Sequence, residues 1–488
     1  MGGLRDLAFS GVKWNTFGNI TNVATNFIIG IILARLLTPT DYGTIGVYGV
    51  FFAIASVIIN GGFSMAIVQK QDLTDDDCST AFWYNIFLSI FFYVLFYVSS
   101  SLFADFFNMP VLKDVLRVTA LGLIIGALTT VHKTLFVKKV DFKTISLITV
   151  SSNVFSGAAG IILAYSGFGV WSLVLMGLIN GILNTVCLWY FSTWRPKFLF
   201  SMVSFKSMFS YGNKILGTRL LETTRIEASS FIIGKFFSAR ELGLFTKGVS
   251  NSKILSTNIS DVLCSVTFPV LSKIQDDDAY LISAYHRMIR LSSMVIFFLM
   301  MLLAALAHPI IIFLYSAKWE GAVIFMQLIS FSLMFEHINV INNNIFNVKG
   351  RSDILFKMEI AKCVIFLSLL LLSTKFGIIA LCVAMIIYTQ IAIILNTWQT
   401  KKLLDFGYLA QVKDYLPYIF LSAIAVAPAF LITQLTELPD IVMIILGTII
   451  SFIVYVSILR LAKDEVFDHY IWNHHIVIKL REIFGQKR

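Results

Sequence analysis

Apolar runs about 20 residues long recur from one end of this chain to the other, each long enough to cross the roughly 30 Å hydrocarbon core of a bilayer as a helix. No other feature of the sequence narrows the fold as far. With 57% hydrophobic and only 14% charged residues, the composition lies well outside that of soluble domains. The chain reads as an all-α polytopic membrane protein. Spans are expected near 12–36, 42–66, 79–103, 112–132, 144–166, 169–191, 211–236, 241–270, 288–314, 321–346, 354–374, 378–399, 415–436 and 440–460, about fourteen transmembrane helices. Polar residues interrupt the seventh and eighth.

Lysine and arginine gather in cytoplasmic loops, so their placement orients the bundle. Both ends and alternate loops, with Lys70, Lys133, Lys138, Lys139, Lys143, Arg195, Lys197, Arg351 and Lys362 among their cations, outweigh the opposite loops by roughly three to one. Both termini are therefore expected in the cytoplasm, which requires an even number of spans. The start, MGGLRDLAFSGVKW, has no cleavable signal and reads as a short basic tail entering a permanent span. The net charge of +10 is mostly this topology signal and calls for no nucleic acid.

No stretch between spans is long enough to form a soluble catalytic domain. No phosphate-binding glycine loop, nucleophile–base signature or Cys/His cluster appears, so neither an enzyme nor an ATP-driven pump is expected, and no metal site. The five cysteines, Cys78, Cys187, Cys264, Cys363 and Cys382, lie scattered, mostly in apolar runs, and read as buried thiols.

One span breaks the pattern. Lys214 to Lys235, KILGTRLLETTRIEASSFIIGK, carries Arg219, Glu222, Arg225 and Glu227. A charge at mid-membrane costs roughly 2.5–3.5 kcal/mol, so four facing lipid would cost on the order of 10 kcal/mol. These side chains must pair with one another or face a water-filled cavity, and the segment reads as one wall of such a cavity.

The chain also repeats. ARLLTPTDYG at 34–43 aligns with GKFFSARELG at 234–243, pairing Arg35 with Lys235, Thr38 with Ser238, Asp41 with Glu241 and Gly43 with Gly243. Asp75–Asp77 matches Asp276–Asp278, FVKKVDFK at 136–143 echoes NVKGRSDILFK at 347–357, and FGVWSL at 168–173 echoes FGIIAL at 376–381. The matches keep their order, which gives two six-helix lobes, 1–199 and 200–404, in the same orientation. That arrangement belongs to alternating-access transporters with their site between the halves. Spans 13 and 14 (405–460) form an appendage. The tail 461–488 spaces Trp472, Ile476, Leu480 and Ile483 as an amphipathic helix on the cytoplasmic leaflet, and Phe198–Ser210 reads as a second interfacial segment.

Polar stripes mark the expected cavity. Asn15, Asn19, Asn22 and Asn26 share one face of the first span, and Thr218, Glu222, Arg225 and Ser229 one face of the seventh. Lys247, Asn251, Asn258 and Asp261 do so in the eighth, and Glu336, Asn339, Asn343 and Asn347 in the tenth. Two readings stay open: an aqueous chamber shared by both halves, or asparagines and ion pairs that glue helices together. Arginine's planar donors suit a phosphate or pyrophosphate better than lysine's do.

LARLLTPTDYGTIGVYGVF (33–51), AIVQKQDLTDDDCSTAFWYNI (66–86), GFGVWSLV (167–174), STWRPKF (192–198), IIGKFFSARELGLFTKG (232–248) and TFPVLSKIQDD (267–277) carry a family likeness. The chain resembles the polysaccharide transporters, the O-antigen and exopolysaccharide flippases, of the multidrug/oligosaccharidyl-lipid/polysaccharide exporter superfamily. The resemblance spans nearly the whole chain. It implies two lobes around a V-shaped cavity, two extra C-terminal helices and a bacterial inner membrane. It also implies export of a lipid-linked (undecaprenyl-pyrophosphate) oligosaccharide for surface polysaccharide biosynthesis. Asn60–Gly61–Gly62 departs from an expected acidic residue before the glycine pair, and Ser229–Ser230 from an Asp–Asn pair, while Lys247 matches a usually basic position.

On that footing Arg219, Arg225 and Lys247 are expected to hold the pyrophosphate, and Asn15, Asn19, Asn22, Asn26, Asn251, Asn339 and Asn343 the sugar hydroxyls. Glu222 and Glu227 are expected to bind a coupling proton or sodium ion, with no other cofactor. Expected partners are the lipid-linked oligosaccharide, membrane lipids and a polysaccharide polymerase or co-polymerase. The alternatives are an ion-coupled drug/cation antiporter and a membrane polymerase or ligase acting on lipid-linked sugars.

Overall fold

The computed structural model describes residues 2–272 and 274–468, and its regular structure there is entirely helical. In chain order the helices are α1 (Gly2–Leu36), α2 (Pro39–Asn60), α3 (Phe63–Gln69), α4 (Asp75–Phe107), α5 (Leu112–Thr119) and α6 (Leu121–Lys138). Next come α7 (Phe142–Tyr165), α8 (Val170–Phe191), α9 (Met202–Phe236), α10 (Ala239–Ser272), α11 (Asp278–Ala305) and α12 (Ala307–Tyr315). The chain continues through α13 (Ala322–Leu333), α14 (Glu336–Val348), α15 (Ser352–Ser373), α16 (Ile378–Leu404), α17 (Tyr408–Leu435) and α18 (Asp440–Leu461).

Every expected span is helical, some as a broken pair such as α2 with α3 or α13 with α14. Among the described residues, 11 helical segments are long and apolar enough to cross a membrane. The remaining three expected spans, in α9, α10 and α15, are helical but do not qualify. Each carries charge: α9 the four ionisable residues around Arg219, α10 Lys247 and Lys253, α15 Lys357, Glu359 and Lys362. Helix α9 begins at Met202, so most of the stretch expected to lie at the interface is continuous with the span that follows. Of the expected amphipathic tail only residues 461–468 are described, and Trp472, Ile476, Leu480 and Ile483 lie outside the described residues.

The chain forms two compact units, Met1–Thr246 and Lys247–Arg488. The division falls inside α10, beyond the repeat boundary read from the sequence, because α9 packs on α2, α3 and α4. In the first unit α1 lies along α7, α7 along α8, and α6 against both α4 and α8. In the second, α11 and α17 are the most extensively paired helices, with α18 beside α17. The two C-terminal helices are thus part of that unit's core. Tyr455 stacks on Phe298 at 4.4 Å and its hydroxyl donates to the Met294 carbonyl at 2.6 Å. The buried Asp414 carboxylate accepts from His286 at 2.5 Å and Arg290 at 3.1 Å.

Two places show the repeat in local chemistry. At the start of α2, the Thr38 backbone N–H donates to Asp41 at 2.9 Å while Asp41 N–H donates to the Thr38 hydroxyl at 3.3 Å. Ser238 and Glu241 make the same reciprocal pair at the start of α10, at 2.9 and 3.2 Å. Each is a capping box that satisfies two helix-end donors. One turn further on, Gly43 and Gly243 let these helix starts touch backbone to backbone. A Cβ on Gly43 would stand 1.7 Å from the Ala239 carbonyl oxygen, and one on Gly243 would stand 1.7 Å from that of Pro39. The pairing is reciprocal, as two copies of one motif meeting head on would give.

Candidate chamber in the N-terminal unit

The first unit holds a cavity of about 750 Å³ lined by α2, α3, α6, α7, α8 and α9. Helix α6 supplies its largest wall. Gly126, Thr129, Thr130, Lys133, Thr134 and Val137 recur at intervals of three and four, one face of a helix. Opposite stand Asn180, Gly181 and Asn184 of α8, one turn apart, and Arg219 of α9. Between α2 and α3 the chain turns through Gly61 and Gly62, both at positive φ. Gly62 lies so close to Gly212 of α9 that a Cβ there would come within 2.6 Å of its carbonyl oxygen. That contact brings the α2–α3 break and α9 to the same cavity, where Asn60, Ser64 and Arg219 face it.

The polar lining is tied into a network. Thr130 donates to the Asn60 side chain at 3.4 Å, and Thr129 and Thr185 share a hydrogen bond of 2.6 Å. Asn184 donates to Asn180 at 3.2 Å; Asn180 donates to Ser156 at 3.1 Å and to Asn153; Asn153 donates to Asn22. Asn26 completes the chain by donating to Asn22 at 3.3 Å. A run of amides therefore crosses from α1 through α7 and α8 to the cavity wall. Satisfied in this way, they hold their orientations without costly unpaired groups.

Among the described residues two cations face the cavity, and they differ. Arg219 pairs with Glu222 at 3.3 Å, with side chains 58% and 42% exposed. An ion pair that open to solvent is worth at most about 1 kcal/mol, so a stronger anion can displace the carboxylate. Lys133 is exposed and has no ion pair among the described residues. The charge count places Lys133 in a loop; it stands instead within α6, facing the chamber. Lys362, counted among the cytoplasmic cations although it falls in the expected span 354–374, lies inside α15, 4% exposed and 3.0 Å from Glu359.

Of the residues singled out from the sequence, Arg219 lines this cavity and Glu222 is its partner. Asn22 and Asn26 belong to the amide chain, and Asn15 and Asn19 are exposed on α1 outside the lining. Arg225 and Glu227 are half-buried and both partnered. The others lie in the second unit. Lys247 is buried with its ammonium 4.2 Å from the Tyr315 ring, and Asn251 accepts from the Tyr315 hydroxyl at 2.7 Å. Asn339 accepts from Asn396 at 3.0 Å, and Asn343 accepts from Lys362 at 3.5 Å. Lys133, Asn60, Asn180 and Asn184 line the cavity without having been read from the sequence as site residues. The face from Gly126 to Val137 and the Asn180–Asn184 spacing were the signals that could have found them.

A bundle of apolar helices around a chamber lined with amides, hydroxyls and cations defines a multi-spanning membrane protein with a polar chamber inside it. The chain belongs to the polysaccharide biosynthesis protein family, whose sequence profile matches residues 32–324. The likeness to polysaccharide transporters read from the motifs agrees with this. It is 26% identical to the teichuronic acid biosynthesis protein TuaB of Bacillus subtilis, over 71% of this chain and 72% of that one. It is 20% identical to the lipopolysaccharide biosynthesis protein WzxC of Escherichia coli, over 75% and 74% of the two chains. It is 21% identical to the succinoglycan biosynthesis transport protein ExoT of Rhizobium meliloti, over 64% and 63%. Its fold is similar to that of the lipid II flippase MurJ in an inward closed conformation, with a TM-score of 0.75 at 17% identity over 91% of this chain and 98% of that one.

Proposed function

We propose that this protein is a flippase that carries a lipid-linked oligosaccharide across the bacterial inner membrane by alternating access, for surface polysaccharide biosynthesis. The observation that carries this reading is the chamber, where Lys133 and Arg219 stand among amides and hydroxyls. Family membership, and relatives named for surface polysaccharides and their transport, support it. Lys133 and Arg219 hold the pyrophosphate, whose charge-assisted hydrogen bonds outcompete the exposed Glu222 carboxylate. Asn60, Asn180 and Asn184 hydrogen-bond sugar hydroxyls while the polyprenyl tail stays in lipid. No bond of the substrate is made or broken.

The exchange also gives Glu222 a part in coupling. Phosphate and the coupling ion then act on one ion pair, phosphate at Arg219 and the proton or sodium ion at Glu222; Glu227, on the same helix, is the second candidate. Termini in the cytoplasm and a polymerase that receives the exported sugar complete the reading. A drug/cation antiporter would bind its cationic substrate against acids, and the two cations facing this chamber disfavour that.

The test is reconstitution. Purified protein in sealed vesicles with a lipid-linked oligosaccharide should expose that sugar to an added, non-permeant glycosidase on both sides. Vesicles in which half the sugar stays protected, as in protein-free controls, would contradict the assignment. Proton-driven efflux of ethidium without sugar translocation would assign the antiporter instead.

A further inference from the structure

A second cavity, about 500 Å³, lies apart from the chamber in the same unit and shares no lining residue with it. Its walls are Trp83, Tyr84 and Phe87 of α4 with Phe200, Met202 and Phe205 where the chain enters α9. Hydrogen bonds pin that entering segment onto α4. Lys197 N–H donates to the Ser79 hydroxyl at 3.1 Å, Ser201 N–H to the Thr80 hydroxyl at 3.0 Å, and the Trp83 indole to the Lys197 carbonyl at 2.8 Å. The groove is therefore a fixed feature of this end of the unit. Around it Phe198, Val203 and Phe87 are 95%, 81% and 70% exposed, a surface that lipid can cover at low cost.

Charge decides which lipid. At this end of α4, Asp77 pairs with Lys70 and Asp75 with Lys197. Lys206 follows Met202 by one helical turn, is exposed, and has no ion pair among the described residues. An apolar groove with an exposed lysine next to its lining Phe205, flanked by tryptophan and tyrosine as membrane interfaces are, has the shape of an anionic amphiphile.

We infer that this groove binds one anionic phospholipid of the surrounding bilayer, with an acyl chain against Phe87 and Phe205 and the phosphate group beside Lys206. The site serves a resident lipid and not the transported one, because its lining has no amide side chain and only the Tyr84 hydroxyl to offer a sugar. It does not depend on what the chamber carries.

Brominated acyl chains quench nearby tryptophan, so the full-length protein in mixed micelles can be titrated with brominated phosphatidylglycerol and brominated phosphatidylcholine. The difference between wild type and Trp83→Phe isolates the groove. Each cation near a headgroup contributes about 1 kcal/mol, or roughly fivefold in affinity. Phosphatidylglycerol should quench the Trp83 component at least fivefold more effectively, and Lys206→Gln should abolish that preference. If Trp83→Phe does not fold, retention of the two lipids by wild type and Lys206→Gln in native mass spectrometry gives the same comparison. Equal quenching or retention of the two headgroups, or a preference unaffected by Lys206→Gln, overturns the inference. Displacement of phosphatidylglycerol by stoichiometric polyprenyl phosphate overturns it too, and assigns the groove to the transported lipid.

Discussion

A Cβ on Gly43 would lie 1.7 Å from the Ala239 carbonyl oxygen, and real Cβ atoms essentially never approach nearer than 3.0 Å. Gly43→Ala therefore forces the starts of α2 and α10 apart by about 1.3 Å, and the obstructing atom is backbone, which cannot rotate away. Overpacking of this kind costs about 1–3 kcal/mol or more. Gly243→Ala meets the Pro39 carbonyl at the same distance and should cost a similar amount. Both substitutions open one shared contact, so the double variant should cost far less than the two singles added. Thermal unfolding of the four proteins in detergent, followed by intrinsic fluorescence, measures this directly. Two singles with wild-type midpoints would refute the reciprocal contact. A double variant whose loss equals the sum would refute the claim that the clashes are one event.

Asn180→Leu removes the donor to Ser156 and Asn153 and should lower stability by about 0.6–1.7 kcal/mol, with slower sugar translocation; an unchanged rate would detach the amide chain from the site. Asp414→Ala leaves His286 and Arg290 without their shared carboxylate, and because both partners are partly exposed the loss should stay near 1–3 kcal/mol, read as a lower midpoint with translocation retained. Arg219→Lys keeps the charge but not the planar donors, so it should weaken substrate binding while Arg219→Gln weakens it further. Equal losses would show that planar hydrogen bonding to phosphate contributes nothing at that position.

The helical fold was legible because a bilayer leaves so few alternatives: apolar runs of one length repeated along the chain read as spans, and each expected segment is a helix. Arg219 was legible for the same reason, since a charge in such a run needs an aqueous or paired setting. Lys133 was not, because it lies near the end of its apolar run and a cation there reads equally well as a topology signal. The asparagines of α1 show the other limit. Their spacing puts them on one face, but spacing does not say whether that face meets water or another helix, and Asn22 meets Asn153 of α7. Nor does the sequence show that α9, the first helix of the second repeat, packs with the helices of the first.

The central claim is that Lys133 and Arg219 together hold the anionic head of a lipid-linked sugar. Its most direct measurement is the translocation rate of a fluorescent lipid-linked oligosaccharide in vesicles, compared among wild type, Lys133→Gln, Arg219→Gln and the double variant, all at matched insertion. Each single loss should slow transport by at least tenfold, from the roughly 1.5–3 kcal/mol of a charge-assisted hydrogen bond, and the double variant should be inactive. A double variant that moves the sugar at the wild-type rate would contradict the account.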